Sequence, residues 1–236
     1  MKCIILAGGY GTRLAEETKI KPKPLVKIGN KPIIWHLMKI YSYYGIKNFV
    51  ICLGYKGYLI KKEINKLNIK EKWKIKYVNT GLKTMTGGRI KRIENSLKKD
   101  EDTFCLSYGD GLSNVNINKL IQFHKKNNKI ATLTAVNYKN PKGVLKIKNN
   151  LFISAIKEKP LEYINGGFFV LDRKIFKYLK NDKTIFEKDC LPKLVKKKQL
   201  IAYKHNGFWG CMDTMREKKE LNKIWKSQDK AWKIWL

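Results

Sequence analysis

Three glycines crowd the end of the first apolar segment of the chain. Gly8, Gly9 and Gly11 directly follow that segment, and Arg13 comes two positions later. Glycine backbones turn sharply and leave their N–H groups open to an anion, and an arginine adds a planar fork of donors. Lys23 adds a second positive charge between two prolines. The spacing predicts a binding site for phosphate groups, against the simpler alternative of a tight turn.

Two familiar nucleotide loops do not fit this stretch. The phosphate loop of kinases and ATPases reads GxxxxGK followed by Ser or Thr, and no lysine follows Gly11. The dinucleotide loop GxGxxG needs a third glycine where the chain has Leu14, and it needs an acidic residue about 20 positions later, after a second strand. The proline-rich segment around Lys23 occupies that region instead. The loop therefore indicates neither ATP hydrolysis nor hydride transfer.

Strand-like and helix-like patterns alternate along the first half of the chain, which predicts an α/β doubly wound sheet. In such sheets ligands bind beyond the carboxyl ends of the strands, where both glycine-rich turns of the first half fall. The second half is richer in strands. The predicted strands are 2–6, 48–53, 74–79, 103–107, 130–137, 144–147, 151–156, 167–171 and 200–203, and the predicted helices are 32–44, 57–67 and 88–97.

The composition is that of a globular protein, with 43% hydrophobic and 11% aromatic residues. No apolar stretch is long enough to span a membrane, and the first apolar run is too short for a signal peptide. The five cysteines are scattered, which predicts reduced thiols in a cytoplasmic protein. The net charge is +32, but lysines occur along the whole sequence. This distribution favours attraction of a small polyanion over a dedicated nucleic-acid site.

Several longer strings of the chain form a recognisable set. They are LAGGYGTRL (6–14), TMTGGRIKR (84–92), YGDG (108–111), INGGFFVL (164–171) and GFWGCMDTMREK (207–218). With them, essentially the whole chain resembles the sugar-1-phosphate nucleotidyltransferases, most strongly the branch that uses CTP and glucose 1-phosphate. The resemblance implies one domain, 1–236, with a Rossmann-like, doubly wound, mixed but mostly parallel sheet. The nucleotide-binding half would be 1–129, and the sugar-binding and C-terminal half 130–236.

The resemblance implies a reaction in which an oxygen of glucose 1-phosphate attacks the α-phosphorus of CTP in line, giving CDP-glucose and pyrophosphate. Positioning and charge neutralisation carry most of such a reaction. The product would feed deoxysugar synthesis for lipopolysaccharide O-antigen. The protein would be a homo-oligomer that binds neither nucleic acid nor membranes. Thymidylyl or uridylyl transfer, and a non-catalytic nucleotide-binding or nucleic-acid-binding relative, remain alternatives.

The same resemblance assigns roles to individual residues. Arg13 would hold the departing phosphates, and Lys23 would neutralise charge at the α-phosphate, as the catalytic residues. Gly8 and Gly109 would approach the base and ribose closely. Arg89 has the alternative of a solvated helix face. The nucleotide-binding residues would be Leu6, Ala7, Gly8, Gly9, Gly11, Thr12, Arg13, Thr84, Arg89 and Gly109.

The second group of implied roles concerns metal and sugar. Asp110 and Asp213 match the family's Mg²⁺ positions, and Mg²⁺ prefers one or two carboxylates together with phosphate oxygens. The alternatives are a turn role for Asp110 and a helix cap for Asp213. Lys159 matches the sugar-phosphate lysine of the family, and Asn165 would bind a sugar hydroxyl. Outside the resemblance, His36 in the predicted helix 32–44 is expected to have a packing role, and the C-terminal tryptophans to anchor against the core or a neighbouring subunit.

Overall fold

The computed structural model of the protein describes residues 1–98, 100–139, 142–149, 151–227 and 231–235. Within them, strands and helices alternate as the sequence predicts, and no helix is long and apolar enough to cross a membrane. The strands are β1 (Cys3–Leu6), β2 (Lys27–Ile28), β3 (Lys31–Pro32), β4 (Asn48–Leu53), β5 (Lys74–Asn79), β6 (Thr103–Tyr108), β7 (Gly111–Ser113), β8 (Ala131–Lys139), β9 (Val144–Ile147), β10 (Ile153–Lys157), β11 (Leu161–Asp172), β12 (Leu200–His205) and β13 (Trp209–Cys211).

The helices cover both faces of the sheet. Short 3₁₀ turns and one π-helical turn, Phe186–Cys190, fill several connections between them. The α-helices are α1 (Ala15–Thr18), α2 (Ile33–Tyr43), α3 (Gly57–Glu71), α4 (Thr86–Arg92), α5 (Ile117–Asn127), α6 (Leu191–Lys196) and α7 (Met215–Lys226).

Seven of these strands form the central sheet, in the order β12-β8-β11-β6-β1-β4-β5. The strands β6, β1, β4 and β5 are parallel, β12 is parallel to β8, and β11 runs antiparallel to both of its neighbours. The predicted mixed, mostly parallel sheet is therefore confirmed. Because its parallel strands end at one edge, the loops after β1 and β6 lie side by side.

Alternating side chains of the central strands enter two separate cores. On one face, Ile5 and Ile51 pack with α2 and α3, and on the other, Ile4 and Val50 pack with α4 and α6. Strands buried on both faces read as continuous apolar runs, which is why β1 and β4 are easy to recognise in the sequence. The five cysteines are free thiols, as expected for reduced cysteines.

The C-terminal tryptophans anchor the end of the chain to α2. Trp232 is 1% exposed, and its ring lies against the buried His36 together with those of Trp225 and Trp235. Burial lowers the pKa of His36 to about 4, and its ring bonds to the Ile28 carbonyl oxygen at 2.9 Å. The predicted packing role of His36 is confirmed, and the tryptophans anchor against the core.

Candidate active site

A cleft of about 1060 Å³ opens at the carboxyl ends of β1 and β6. Its walls are the loop after β1, the segment around Lys23, the segment leading into α4, the turn after β6, the middle of β11 and the segment from β13 into α7. All of the predicted nucleotide-binding, catalytic and metal-binding residues lie in these walls, although Leu6 and Asp213 are 207 positions apart in the chain. They are Leu6, Ala7, Gly8, Gly9, Gly11, Thr12, Arg13, Lys23, Thr84, Arg89, Gly109, Asp110 and Asp213.

The loop after β1 is held in place through the backbone carbonyl group of Gly8. The Gly8 carbonyl oxygen accepts hydrogen bonds from Arg89 Nη2 at 2.9 Å and from the Tyr55 backbone N–H at 3.1 Å. A Cβ on Gly8 would lie 2.1 Å from Arg89 Nη1, so the side chain of Arg89 fills the space that glycine leaves. Gly11 has a φ of +69°, which explains glycine at that position. At Gly8 the requirement for glycine comes from packing inside the protein.

Arg89 lies beneath this loop. It is 4% exposed, so the alternative of a solvated helix face is wrong. Besides Gly8, its guanidinium donates to Thr80 Oγ1 at 2.6 Å and to the Gly81 carbonyl oxygen at 2.8 Å. Burial lowers the pKa of Arg89, and these acceptors stabilise the charge that burial disfavours. Arg89 therefore ties the segment before α4 to the loop after β1.

Lys23 lies between the two predicted metal ligands. Its ammonium group is hydrogen-bonded to both Asp110 and Asp213, and its side chain is 11% exposed. Burial alone lowers the pKa of Lys23, but the two carboxylates outweigh burial and raise the pKa above its usual value. Arg13 Nη1 contacts the other oxygen of Asp213 at 2.7 Å, and its side chain is 72% exposed. The two acids and two bases form one charged cluster.

A capping box directs Asp213 into the cleft. Thr214 is the N-cap of α7, and its hydroxyl accepts from the Glu217 backbone N–H, while the Glu217 carboxylate accepts from the Thr214 backbone N–H. The same carboxylate accepts from the Asp213 backbone N–H at 2.7 Å. The alternative of Asp213 as the cap is therefore wrong, since Thr214 caps the helix and the Asp213 side chain faces Lys23.

The two aspartates fit the chemistry of magnesium. Because Asp110 and Asp213 both reach one ammonium group, their oxygens converge on a single cationic point. Among the described residues, no group of three His, Cys, Asp or Glu side chains is placed to hold a metal, so the protein would offer these two carboxylates. Mg²⁺ is commonly bound by one or two carboxylates with phosphate oxygens and waters.

The sugar-binding predictions have different outcomes. Asn165 lies in the wall of the cleft, at a break in the pairing of β11 with β8 where Gly167 has a φ of +77°. Lys159 lies outside that wall, between β10 and β11, with 53% of its side chain exposed and Glu158 3.8 Å away. The structure thus brings Asn165 to the cleft and leaves Lys159 on the surface. The sugar-binding roles of both residues stay predictions.

The sequence analysis assigned no role to two residues in the wall of the cleft, Tyr108 and Glu187. Tyr108 precedes the predicted Asp110, so the YGDG string contains a signal for it. Glu187 comes from the π-helical turn, and nothing in its sequence neighbourhood distinguishes it from other surface acids. The Tyr108 hydroxyl donates to one oxygen of Glu187, and the Thr86 hydroxyl donates to the other at 2.7 Å.

Comparison with known proteins agrees with this geometry. The sequence model of the nucleotidyl transferase family matches residues 2–226. Glucose-1-phosphate cytidylyltransferase of Salmonella typhimurium is 43% identical over 100% of both chains. Mannose-1-phosphate guanyltransferase of Yarrowia lipolytica is 32% identical over 89% of this chain and 60% of its own length. The crystal structure of HddC from Yersinia pseudotuberculosis superposes with a TM-score of 0.74 at 25% identity, covering 95% of this chain and 99% of HddC. This chain is therefore an enzyme of the nucleotidyl transferase family and belongs with its glucose-1-phosphate cytidylyltransferases.

Proposed function

We propose that the protein transfers a cytidylyl group from CTP to glucose 1-phosphate and releases pyrophosphate. The observation that carries this proposal is the 43% identity to a glucose-1-phosphate cytidylyltransferase over the whole of both chains. The cleft supports it, because its charged cluster suits a triphosphate and its remaining walls offer neutral hydrogen-bonding groups to a sugar.

In this proposal the cationic side chains act on the phosphates of CTP. The exposed Arg13 guanidinium can pair with two phosphate oxygens at once and holds the β- and γ-phosphates that leave as pyrophosphate. Lys23 is nearly buried and remains protonated, so its charge is placed to stabilise the α-phosphate as the sugar phosphate oxygen attacks. The backbone N–H groups of the loop after β1 add neutral donors to the same anion.

Asp110 and Asp213 would hold Mg²⁺ when it is bound with CTP. The ion would supply further neutralisation of the phosphate charge and help to orient the triphosphate. Since Lys23 bonds to both carboxylates, its ammonium group must share them with the ion or turn towards the phosphates. The Lys23 ammonium group is therefore placed to exchange its hydrogen bonds with the aspartates for hydrogen bonds with the substrate phosphates.

The test is pyrophosphate release from purified protein with Mg²⁺. Glucose 1-phosphate is combined in turn with CTP, UTP, dTTP, ATP and GTP, and mannose 1-phosphate replaces it in a parallel series. We expect release with CTP and glucose 1-phosphate to exceed every other pair, and preference for another base or sugar would refute the assignment. Asp110→Asn and Asp213→Asn should each lose the Mg²⁺-dependent rate. Glu220→Gln, an exposed acid on α7 paired with Arg216, is the matched control and should retain it.

The proposal extends to a cytoplasmic homo-oligomer whose product enters synthesis of lipopolysaccharide O-antigen sugars. Self-association is supported by the hairpin of β9 and β10, which exposes many large apolar side chains, among them Ile147, Phe152 and Ile156. Sedimentation of the wild type and of Phe152→Ser would test it. A monomeric wild type would contradict this part of the proposal.

A further inference from the structure

Glu187 is an acid in the wall of the cleft whose partners are hydroxyl groups. One of its oxygens accepts from the Tyr108 hydroxyl and the other from the Thr86 hydroxyl at 2.7 Å. A carboxylate can accept about four hydrogen bonds, but it cannot donate one while it is ionised. Both hydroxyl protons must therefore point at Glu187.

Close packing of α4 brings this acid into the cleft. A Cβ on Gly87 would lie 2.8 Å from the Thr184 carbonyl oxygen, and one on Gly88 would lie 2.6 Å from the Asp182 Cα. The two glycines let the helix lie directly on the segment that precedes Glu187. The Thr86 hydroxyl completes the contact by accepting from the Phe186 backbone N–H at 2.9 Å. The packing of the two glycines and the hydrogen bonds of Thr86 together fix the position of Glu187.

The direction of the Tyr108 hydroxyl decides the direction of the next hydrogen bond. Tyr108 has one hydroxyl proton, which it donates in the hydrogen bond to Glu187. A lone pair of the phenol oxygen therefore faces Asn165. Asn165 Nδ2 donates to that oxygen at 3.3 Å. At its other end, Asn165 Oδ1 accepts from the Gly167 backbone N–H at 2.9 Å. Both contacts require the same orientation of the Asn165 amide.

Among the residues that the structure describes, none uses the second N–H of Asn165 or the second lone pair of its oxygen, which leaves both for a ligand. The amide carries two N–H donors and an oxygen with two lone pairs, and Tyr108 and Gly167 use one of each. A vicinal pair of hydroxyl groups could use the free donor and the free acceptor together. If the amide turned over, its oxygen and its N–H₂ group would exchange places. Each of the two ligand hydroxyl groups would then face an acceptor where it now faces a donor, or the reverse.

We propose that Glu187 is a positioning residue for the sugar 1-phosphate, because it orients the Tyr108 hydroxyl and through it the amide of Asn165. This inference rests on the proposed function. It makes sugar recognition depend on an acid that need not touch the sugar.

The experiment compares Glu187→Gln, Tyr108→Phe and the double variant. Glutamine keeps the size of the side chain, but its N–H₂ group can donate to Tyr108 and reverse the relay. We expect each single variant to raise the KM for glucose 1-phosphate about tenfold, the effect of one lost hydrogen bond, and to leave the KM for CTP within about twofold. The double variant should be no worse than either single variant, since both break one link. Glu220→Gln is again the control.

A purely structural role would give a different result. It predicts lower thermal midpoints, equal changes in both KM values and additive effects, and any of these outcomes would overturn the inference. Calorimetric titration with glucose 1-phosphate is done in parallel, since it does not depend on turnover. Wild type that binds the sugar phosphate without making CDP-glucose contradicts the proposed function. Equal binding by wild type and Glu187→Gln contradicts the role of Glu187.

Discussion

The loop after β1 offers a sharp test, because two adjacent glycines in it have opposite surroundings. A Cβ on Gly8 would lie 2.1 Å from Arg89 Nη1 and 2.6 Å from its Cζ, whereas a Cβ on Gly9 would meet no atom within 4 Å. Gly9 also has no positive φ. We expect Gly8→Ala to destabilise the protein strongly and Gly9→Ala to leave its stability nearly unchanged.

The size of the effect follows from what Arg89 must give up. To admit the new methyl group, the guanidinium has to move away from the Gly8 carbonyl oxygen and the Thr80 hydroxyl. Hydrogen bonds to charged groups contribute about 1.5–3 kcal/mol each, and the alanine recovers about 0.4–1 kcal/mol by restricting the unfolded chain. The net loss for Gly8→Ala should be about 2–5.5 kcal/mol. Gly9→Ala should change the free energy of unfolding by less than about 1 kcal/mol.

The measurement is urea unfolding followed by tryptophan fluorescence and circular dichroism. The same Gly8→Ala change is repeated in the Arg89→Met background, where the clashing guanidinium is absent. There it should cost clearly less than in the wild-type background, because shared partners make the two effects non-additive. The close contact that remains is with the Gly54 backbone nitrogen, 3.0 Å from the new Cβ. The reasoning is refuted if Gly8→Ala is no more destabilising than Gly9→Ala, or if its cost is the same with and without Arg89.

Three further predictions concern other parts of the molecule. The pKa of His36 is about 4 in the folded protein against 6.5 unfolded, so the unfolded state binds the proton first as pH falls. Stability should fall by up to about 3 kcal/mol between pH 6.5 and pH 4, and His36→Gln should flatten this slope in urea titrations. Glu217→Ala removes the acceptor of the Asp213 backbone N–H, and should cost about 1 kcal/mol in unfolding and reduce kcat; unchanged values of both would contradict the capping argument. Lys23→Gln should lower kcat about a hundredfold or more, and activity within tenfold of wild type would exclude the proposed role.

Much of the fold could be predicted from the sequence because the signals are local. The bounds of β4, β5 and β9 agree with the predicted strands residue for residue, since runs or alternations of apolar residues between turns define them. Elsewhere the environment changed the bounds. The helix predicted at 88–97 begins earlier, at Thr86, because its glycines pack on a distant segment. It ends at Arg92 and is followed by a separate 3₁₀ turn, Glu94–Ser96. Strand β11 extends to Leu161, since its exposed outer part pairs with β8.

The sequence by itself predicted a phosphate-binding loop with Arg13 and Lys23, because glycines, prolines and cations at that spacing limit the conformation and chemistry of a short string. Asp110 and Asp213 were predicted from the resemblance to the family, since each of them alone also fits a turn or a helix cap. Only the tertiary structure decided which distant residues these segments contact. It placed Arg89 beneath the loop, Lys23 between Asp110 and Asp213, and Lys159 outside the cleft. It also brought Glu187 to Tyr108 across 79 positions of the chain. Such contacts depend on how helices pack on the sheet, and no local spacing records that packing.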